Sequence, residues 1–355
     1  MVAATGIGWF IVHGTPETFM LYNNLLAAFT LLVFIIVVSV KKLSDKYLVL
    51  PNRGVLAAGT FIFAAEALHN NLSRLFGYQT QAISGWLGFA ALLLSLAYVA
   101  AKMIFANERR LIAIESELET ARRIQSSILP DKVPEMEGLN ISPAYYPMNA
   151  VAGDFYEFIQ IDKHHAGFLV ADVSGHGIPA ALIASMIKVA VQTLVASAHD
   201  PGEVLRLLGR TLGNRLREGQ FLTAAYLYID TESGEARYSA AGHPPLLYWN
   251  SAAQQVQFID SNGLIIGFFG ETEYPVKNFA FNKGDRFLLY TDGLTESENP
   301  EREFFGDHRL AELIRSTANV PAIELDEHIQ NGLRKWQRSE AAQQDDITWI
   351  IIDVK

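Results

Sequence analysis

Four aspartates stand where short apolar runs end or turn. They are Asp154 in Gly-Asp-Phe-Tyr, Asp172 in Ala-Asp-Val-Ser-Gly-His-Gly, Asp292 in Tyr-Thr-Asp-Gly-Leu-Thr-Glu and Asp345 in Gln-Asp-Asp-Ile-Thr. A carboxylate at a strand tip can be brought beside others from distant parts of the chain. Packed closely, such groups repel and raise one another's pKa unless a divalent cation neutralises them. Any one Asp-Gly is an ordinary turn; the weight comes from four such segments in order. There is no cysteine, and the nine histidines have no zinc-like spacing. Disulfides, thiolate metal sites and cysteine nucleophiles are therefore excluded, and a metal must sit mainly on oxygen, which suits Mg²⁺ or Mn²⁺. A net charge of −10 argues against a nucleic-acid partner, which calls for a basic patch.

The elements that must position these residues are short. β-rich runs alternate with turns over Phe155–Ile161, Gly167–Asp172, Phe221–Ile229, Ala236–Ala241, Val256–Ile259, Arg286–Tyr290 and Ile347–Val354. Helical patterns cover Ile178–Ala198, Pro201–Leu216, Asp307–Thr317 and Ala322–Trp336. Strands grouped in blocks with helices between them predict an α+β sandwich rather than a βαβ sheet. His176 could protonate a leaving oxygen, or could be a turn histidine bonding backbone; His243, before Pro244 and Pro245, reads as part of a structural turn.

The four segments resemble the metal-site motifs of the metal-dependent PPM protein phosphatase superfamily, in its bacterial SpoIIE/RsbU branch. The resemblance extends from about Glu117 to Val354, including the lead-in Glu-Thr-Ala-Arg-Arg-Ile-Gln-Ser-Ser-Ile-Leu-Pro and the segment Ser-Ala-Ala-Gly-His-Pro-Pro. It implies an α-β-β-α sandwich and hydrolysis of phosphoserine or phosphothreonine with two Mn²⁺ or Mg²⁺ ions. Carried over by position, Asp172 would bridge the two ions and the backbone carbonyl of Val173 would bind one. Asp154, Asp292 and Asp345 would hold them directly or through water, with Asp346 a neighbour; the sequence alone does not choose between Asp345 and Asp346. A water between two cations loses its proton near neutral pH and attacks phosphorus in line. The resemblance also suggests a small STAS-domain anti-sigma-factor antagonist as phosphorylated substrate, in a partner-switching pathway. Ala152 departs from the second glycine usual in the family, Glu157 from an aspartate, and no arginine precedes Asp154 to grip phosphate. The competing reading is a catalytically silent membrane adaptor that uses this fold to bind a partner.

The first third has a different character. Half of all residues are hydrophobic and mean hydropathy is +0.15, with the apolar excess in residues 1–105. Leu25–Val40, extended back to Phe19, and Ile83–Ala101 read as membrane spans, and Val55–Leu68, interrupted by Glu66, as a third. Lys41, Lys42, Lys46 and Arg53 fill the first connection, and Lys102, Arg109 and Arg110 follow the last span. The positive-inside rule then places the N-terminus outside and everything after Ala101 in the cytoplasm, giving a multi-pass inner-membrane protein. Glu66 with His69, and His13 with Glu17, read as polar residues at helix ends or as ligand pairs. Residues 106–130 form a linker. Within it Leu111, Ile114, Leu118, Ala121, Gln125 and Ile128 make a heptad seam, weakened in one layer by Gln125. It predicts a parallel homodimer, the alternative being a single amphipathic helix packed on its own domain, and Pro130 stops it. Residues 131–355 are the expected phosphatase domain.

Overall fold

The computed structural model describes residues 29, 53–75, 84–216, 219–268, 272–338 and 343–355. The expected first span and the His13–Glu17 pair lie outside them. The chain divides into two compact units, Met1–Glu115 and Ser116–Lys355, so the division falls inside the expected linker.

In the first unit, α1 (Arg53–Leu75) and the first part of α2 (Ser84–Ile128) pack through small residues. A Cβ on Gly59 would lie 2.2 Å from the Ser95 hydroxyl oxygen, so the helices can approach only because no side chain is there. Leu56 and Val99 are buried in the same contact. The Glu66 carboxylate accepts a hydrogen bond from the Gly88 backbone N–H, so this member of the Glu66–His69 pair is engaged within the helix pair. Among the described residues, Trp86–Ile128 is the one helix long and apolar enough to cross a membrane, with an 18-residue stretch of mean hydropathy 2.0. Its side chains Trp86, Leu94 and Phe105 are exposed. The polar residues of α1 keep it below that mark.

The second unit is built from β1 (Leu139–Tyr146), β2 (Phe155–Gln160), β3 (His165–Val173), α3 (Ile178–Val191), α4 (Pro201–Leu212), β4 (Leu222–Asp230), β5 (Glu235–Ala241), β6 (Leu246–Asn250), β7 (Gln255–Ile259), β8 (Asn262–Gly263), β9 (Lys277–Ala280), β10 (Arg286–Tyr290), α5 (Asp292–Thr295), α6 (Gly306–Ser316), α7 (Ala322–Gln337) and β11 (Ile347–Val354). One sheet has the order β1-β11-β10-β6-β7; the other runs β2-β3-β4-β5-β8, with β9 also on β5. The inner faces meet in a core of Phe168, Leu227, Tyr238, Phe287 and Ile350. The outer face of the second sheet carries α3 and α4 over Phe155, Leu169, Ile187 and Leu205. That of the first carries α6 and α7 over Trp349, Leu310 and Ile329. Each sheet thus buries both faces, which makes the predicted α-β-β-α sandwich.

The expected strands and helices are present with ends shifted by a few residues. The reading Ile178–Ala198 is an α-helix only to Val191, followed by a 3₁₀ turn at Val195–Ser197. β1 went unpredicted because Pro143 interrupts it. It is tolerated because β1 is an edge strand, where a missing N–H can face away from the ladder.

Candidate active site

Antiparallel pairing gathers the four aspartates at one end of the sandwich. In the second sheet Phe155 pairs with Ala171, which sets Asp154, just before β2, beside Asp172 near the end of β3. In the first sheet Tyr290 pairs with Trp349, so Asp292, just after β10, lies beside Asp345 and Asp346, just before β11. Thr291 ties the two sheets together. Its hydroxyl donates to Asp154 Oδ2 at 2.8 Å and accepts from the Thr348 N–H at 3.0 Å.

Gly153 is required by closeness. A Cβ there would sit 2.7 Å from the Val173 carbonyl oxygen and 3.3 Å from that of Gly175. The absence of a side chain lets the Asp154 strand lie against the backbone carbonyl expected to serve as a ligand. Gly175 and Gly177 adopt φ values of 86° and 78°, a left-handed turn that glycine enters freely. His176, between them, is exposed on that turn.

The charges on this site are mostly of one sign. Asp154 is 2% exposed; burial, then the neighbouring Asp172, holds its carboxyl well above the usual range. Burial and the charges of Asp292, Asp345 and Asp346 push Asp172 up to about 7. Asp292 is raised by burial and Asp345. Glu296, the last residue of the Asp-Gly-Leu-Thr-Glu segment, is raised by burial, Asp292 and Asp345. The strongest charged neighbours of these carboxylates are one another. Burying such a group without a compensating charge is expensive, and an all-oxygen donor set of this kind fits a hard divalent cation. Among the described residues no three acidic or histidine side chains are placed to hold one metal ion together; strand pairing and mutual electrostatic influence make the carboxylates neighbours.

The adjacent aspartates differ in occupation. Both carboxylate oxygens of Asp346 are engaged by backbone, Oδ1 accepting from Met148 N–H at 2.8 Å and Oδ2 from Gly153 N–H at 2.7 Å. Asp345 is exposed, its Oδ1 accepting from the Asp346 N–H at 2.8 Å. His243 is 3% exposed. Its Nδ1 lies 2.9 Å from the Thr223 hydroxyl, and Thr223 is the cross-strand partner of Asp172. Burial pushes the imidazole down to about 3, so it is a neutral structural group, as its turn context suggested. Glu157, the departure from aspartate, is 7% exposed and paired with Lys188 of α3 at 2.5 Å. Thr291, Asp346 as a backbone anchor and Glu296 were missed as site residues. All three lie within the quoted motifs, where Asp346 was weighed only as an alternative ligand to Asp345 and the flanking residues were not weighed.

Gln125 was read as a weak layer of the heptad seam. It is 7% exposed and bonded in both directions to the backbone of Ala152, its Nε2 donating to the carbonyl at 2.6 Å and its Oε1 accepting from the N–H at 2.9 Å. Leu118, Ala121 and Ile128 of the same seam are half-buried, whereas Leu111 and Ile114 are exposed.

The family description Stage II sporulation protein E (SpoIIE) matches residues 162–355. The chain is 32% identical over 239 residues to the phosphoserine phosphatase RsbU of Bacillus subtilis, covering 67% of this chain and 70% of that protein. It is 30% identical over 243 residues to the phosphoserine phosphatase RsbP of the same organism, covering 67% and 58%. The solved SiaA-PP2C domain of Pseudomonas aeruginosa superposes with a TM-score of 0.62 at 26% identity, covering 69% of this chain and 99% of that one. The chain belongs to the SpoIIE family and is a PP2C-type protein serine/threonine phosphatase.

Proposed function

We propose that this is a membrane-anchored, metal-dependent phosphatase that hydrolyses phosphoserine or phosphothreonine on a regulatory protein. The observation that carries this reading is the set of carboxylates drawn from four strand ends and two sheets, in which burial and mutual repulsion raise Asp154, Asp172 and Asp292, with Asp154 locked to Thr291. Asp172 would bridge two cations, the Val173 carbonyl would bind one, and Asp154, Asp292 and Asp345 would complete the set. Asp345 is preferred over Asp346 because the Asp346 oxygens are taken by Met148 and Gly153. Two bound Mn²⁺ or Mg²⁺ ions would supply charge neutralisation at the phosphoryl oxygens and a water acidic enough to attack phosphorus near neutral pH. The carboxylates fix the geometry of attack, the exposed turn of His176 leaves room for a bulky phosphoprotein, and His176 protonates the departing serine or threonine oxygen. No phosphorylated enzyme is formed.

The substrate we favour is a STAS-domain anti-sigma-factor antagonist; the support is the similarity to RsbU and RsbP, both named as phosphoserine phosphatases. Anchoring through up to three spans rests on the long apolar helix and on the distribution of lysine and arginine along the sequence. Parallel dimerisation is proposed through the upper seam, where Leu111 and Ile114 are exposed.

The test is phosphate release from a phosphoserine protein by the full chain in detergent micelles with Mn²⁺. Wild type should release phosphate, and Asp172→Asn and Asp292→Asn should not, while keeping their circular dichroism. Activity that survives both substitutions and excess chelator would overturn the reading.

A further inference from the structure

The run Ala152–Gly153–Asp154 is held on successive residues by different parts of the chain. Asp154 is bonded by Thr291 after β10, Gly153 by Asp346 before β11, and Ala152 by Gln125. The first two anchors belong to the strand ends that also carry Asp292 and Asp345. Gln125 lies on α2, outside the sandwich. Ala152 is fully buried, so no water can replace the amide that pairs its N–H and carbonyl, and both groups need partners. A glutamine side chain offers an NH₂ donor group and a carbonyl acceptor in a single plane, which matches the two backbone groups of one residue. One helical turn later, just past the end of α2, Leu129 packs against both the inter-sheet core and the core under α3 and α4, so the end of α2 is held to this unit at two points.

We propose that Gln125 is a positioning residue of the active site. By clamping the backbone of Ala152 it fixes the place of Asp154 two residues later, and with it the affinity of the carboxylate cluster for its cation. The end of α2 is then part of the scaffold of the site and not merely its tether, and a shift of Gln125 along or around the helix axis moves Asp154 out of register. This rests on the metal assignment proposed above.

The experiment is Mn²⁺ binding by the full chain in detergent micelles, read from the electron paramagnetic resonance signal of free aqueous Mn²⁺, alongside phosphatase kinetics. Gln125→Leu keeps the approximate shape but removes both hydrogen bonds; it should weaken Mn²⁺ binding by about tenfold or more, as loss of an outer-shell partner does. Raising Mn²⁺ should restore kcat, and KM for the phosphoprotein should stay near wild type. Gln125→Glu retains an acceptor for the Ala152 N–H but no donor for its carbonyl, and should fall between the two; it carries the test if the leucine variant does not fold. Asp154→Asn separates the two readings. If it binds Mn²⁺ like wild type, the metal assignment fails and this inference with it. If it loses binding while both Gln125 variants titrate like wild type, only the inference falls. A lowered thermal midpoint with an unchanged Mn²⁺ titration would likewise reduce Gln125 to a structural contact.

Discussion

Replacing Thr291 by valine tests whether the bond between the two sheets organises the site. Valine has nearly the shape of threonine, so the fully buried side chain is replaced without a cavity and only the hydroxyl is lost. That hydroxyl donates to a carboxylate oxygen at 2.8 Å and accepts from the Thr348 N–H at 3.0 Å. A hydrogen bond to a charged group contributes about 1.5–3 kcal/mol, and a buried N–H left unpaired costs about 1–3 kcal/mol. These are not additive, because one hydroxyl serves both, so we expect a loss of roughly 2–4 kcal/mol. For a unit of this size that lowers the thermal midpoint by roughly 4–12 °C. The freed Asp154 carboxylate should also weaken Mn²⁺ binding by about 10–100-fold, or roughly 1.4–2.7 kcal/mol. The assay is a thermal melt with and without Mn²⁺ and a Mn²⁺ titration of activity, with Thr291→Ser as the control that keeps the hydroxyl. A valine variant with wild-type Mn²⁺ dependence would refute the reasoning, since Asp154 would then be held by something else.

Gly153→Ala places a methyl 2.7 Å from the Val173 carbonyl oxygen; activity should fall at least tenfold, with a smaller loss of melting temperature, and full activity would show that the two strand ends can part freely. Asp162 accepts from the His164 and His165 N–H groups at 2.8 and 2.9 Å, and the His164 N–H, then the His165 side chain, holds its carboxyl down at about 2. A depressed carboxyl contributes stability above its unfolded value of 3.8 that is lost as pH falls towards 2. His165 is raised mainly by Asp162, so its share is lost as pH rises past 6.5. The melting difference between wild type and Asp162→Asn should therefore be widest between about pH 4 and 6.5 and shrink by pH 2.5; a constant difference would contradict the assignment. Reporter fusions at Gly77 and Lys355 should fall on opposite sides of the membrane, and the same side for both would remove the middle span. Parallel coiled coils fused in successive registers above Leu111 should give activity that recurs about every seven residues; a flat response would argue against transmission through the helix.

The site was readable in the sequence to the extent that its residues carry their own local signals. Asp154, Asp172, Asp292 and Asp345 lie next to glycine or at the edge of apolar strands, and antiparallel pairing brings those edges together. What failed to register has its cause elsewhere in the chain. Gln125 looked like a flaw in a heptad because its partner is backbone, and a backbone N–H has no signature in the sequence. Thr291 resembled any threonine beside a turn until Asp154, 137 positions away, supplied the acceptor. β1 was hidden by Pro143, and β6 by its five residues following directly on Pro244 and Pro245. Our preference for Asp345 over Asp346 rests on the backbone N–H groups of Met148 and Gly153 that engage Asp346, a contact that exists only in the folded loop.

The first and last strands of the second unit are partners: Leu139 pairs with Val354 and Tyr146 with Ile347 along the whole length of β1 and β11, and β11 also supplies the other neighbour of β10. On the ribosome, β1 and β10 are therefore made long before the strand that separates them. Until it emerges, both carry a full row of unpaired backbone groups, a surface open to strands of other chains. The residues leading into that late strand are Asp345 and Asp346. A nascent or prematurely stopped chain ending before Ile347 is thus not a weakened phosphatase but an incomplete sheet, and catalytic competence waits for β11 rather than building up strand by strand.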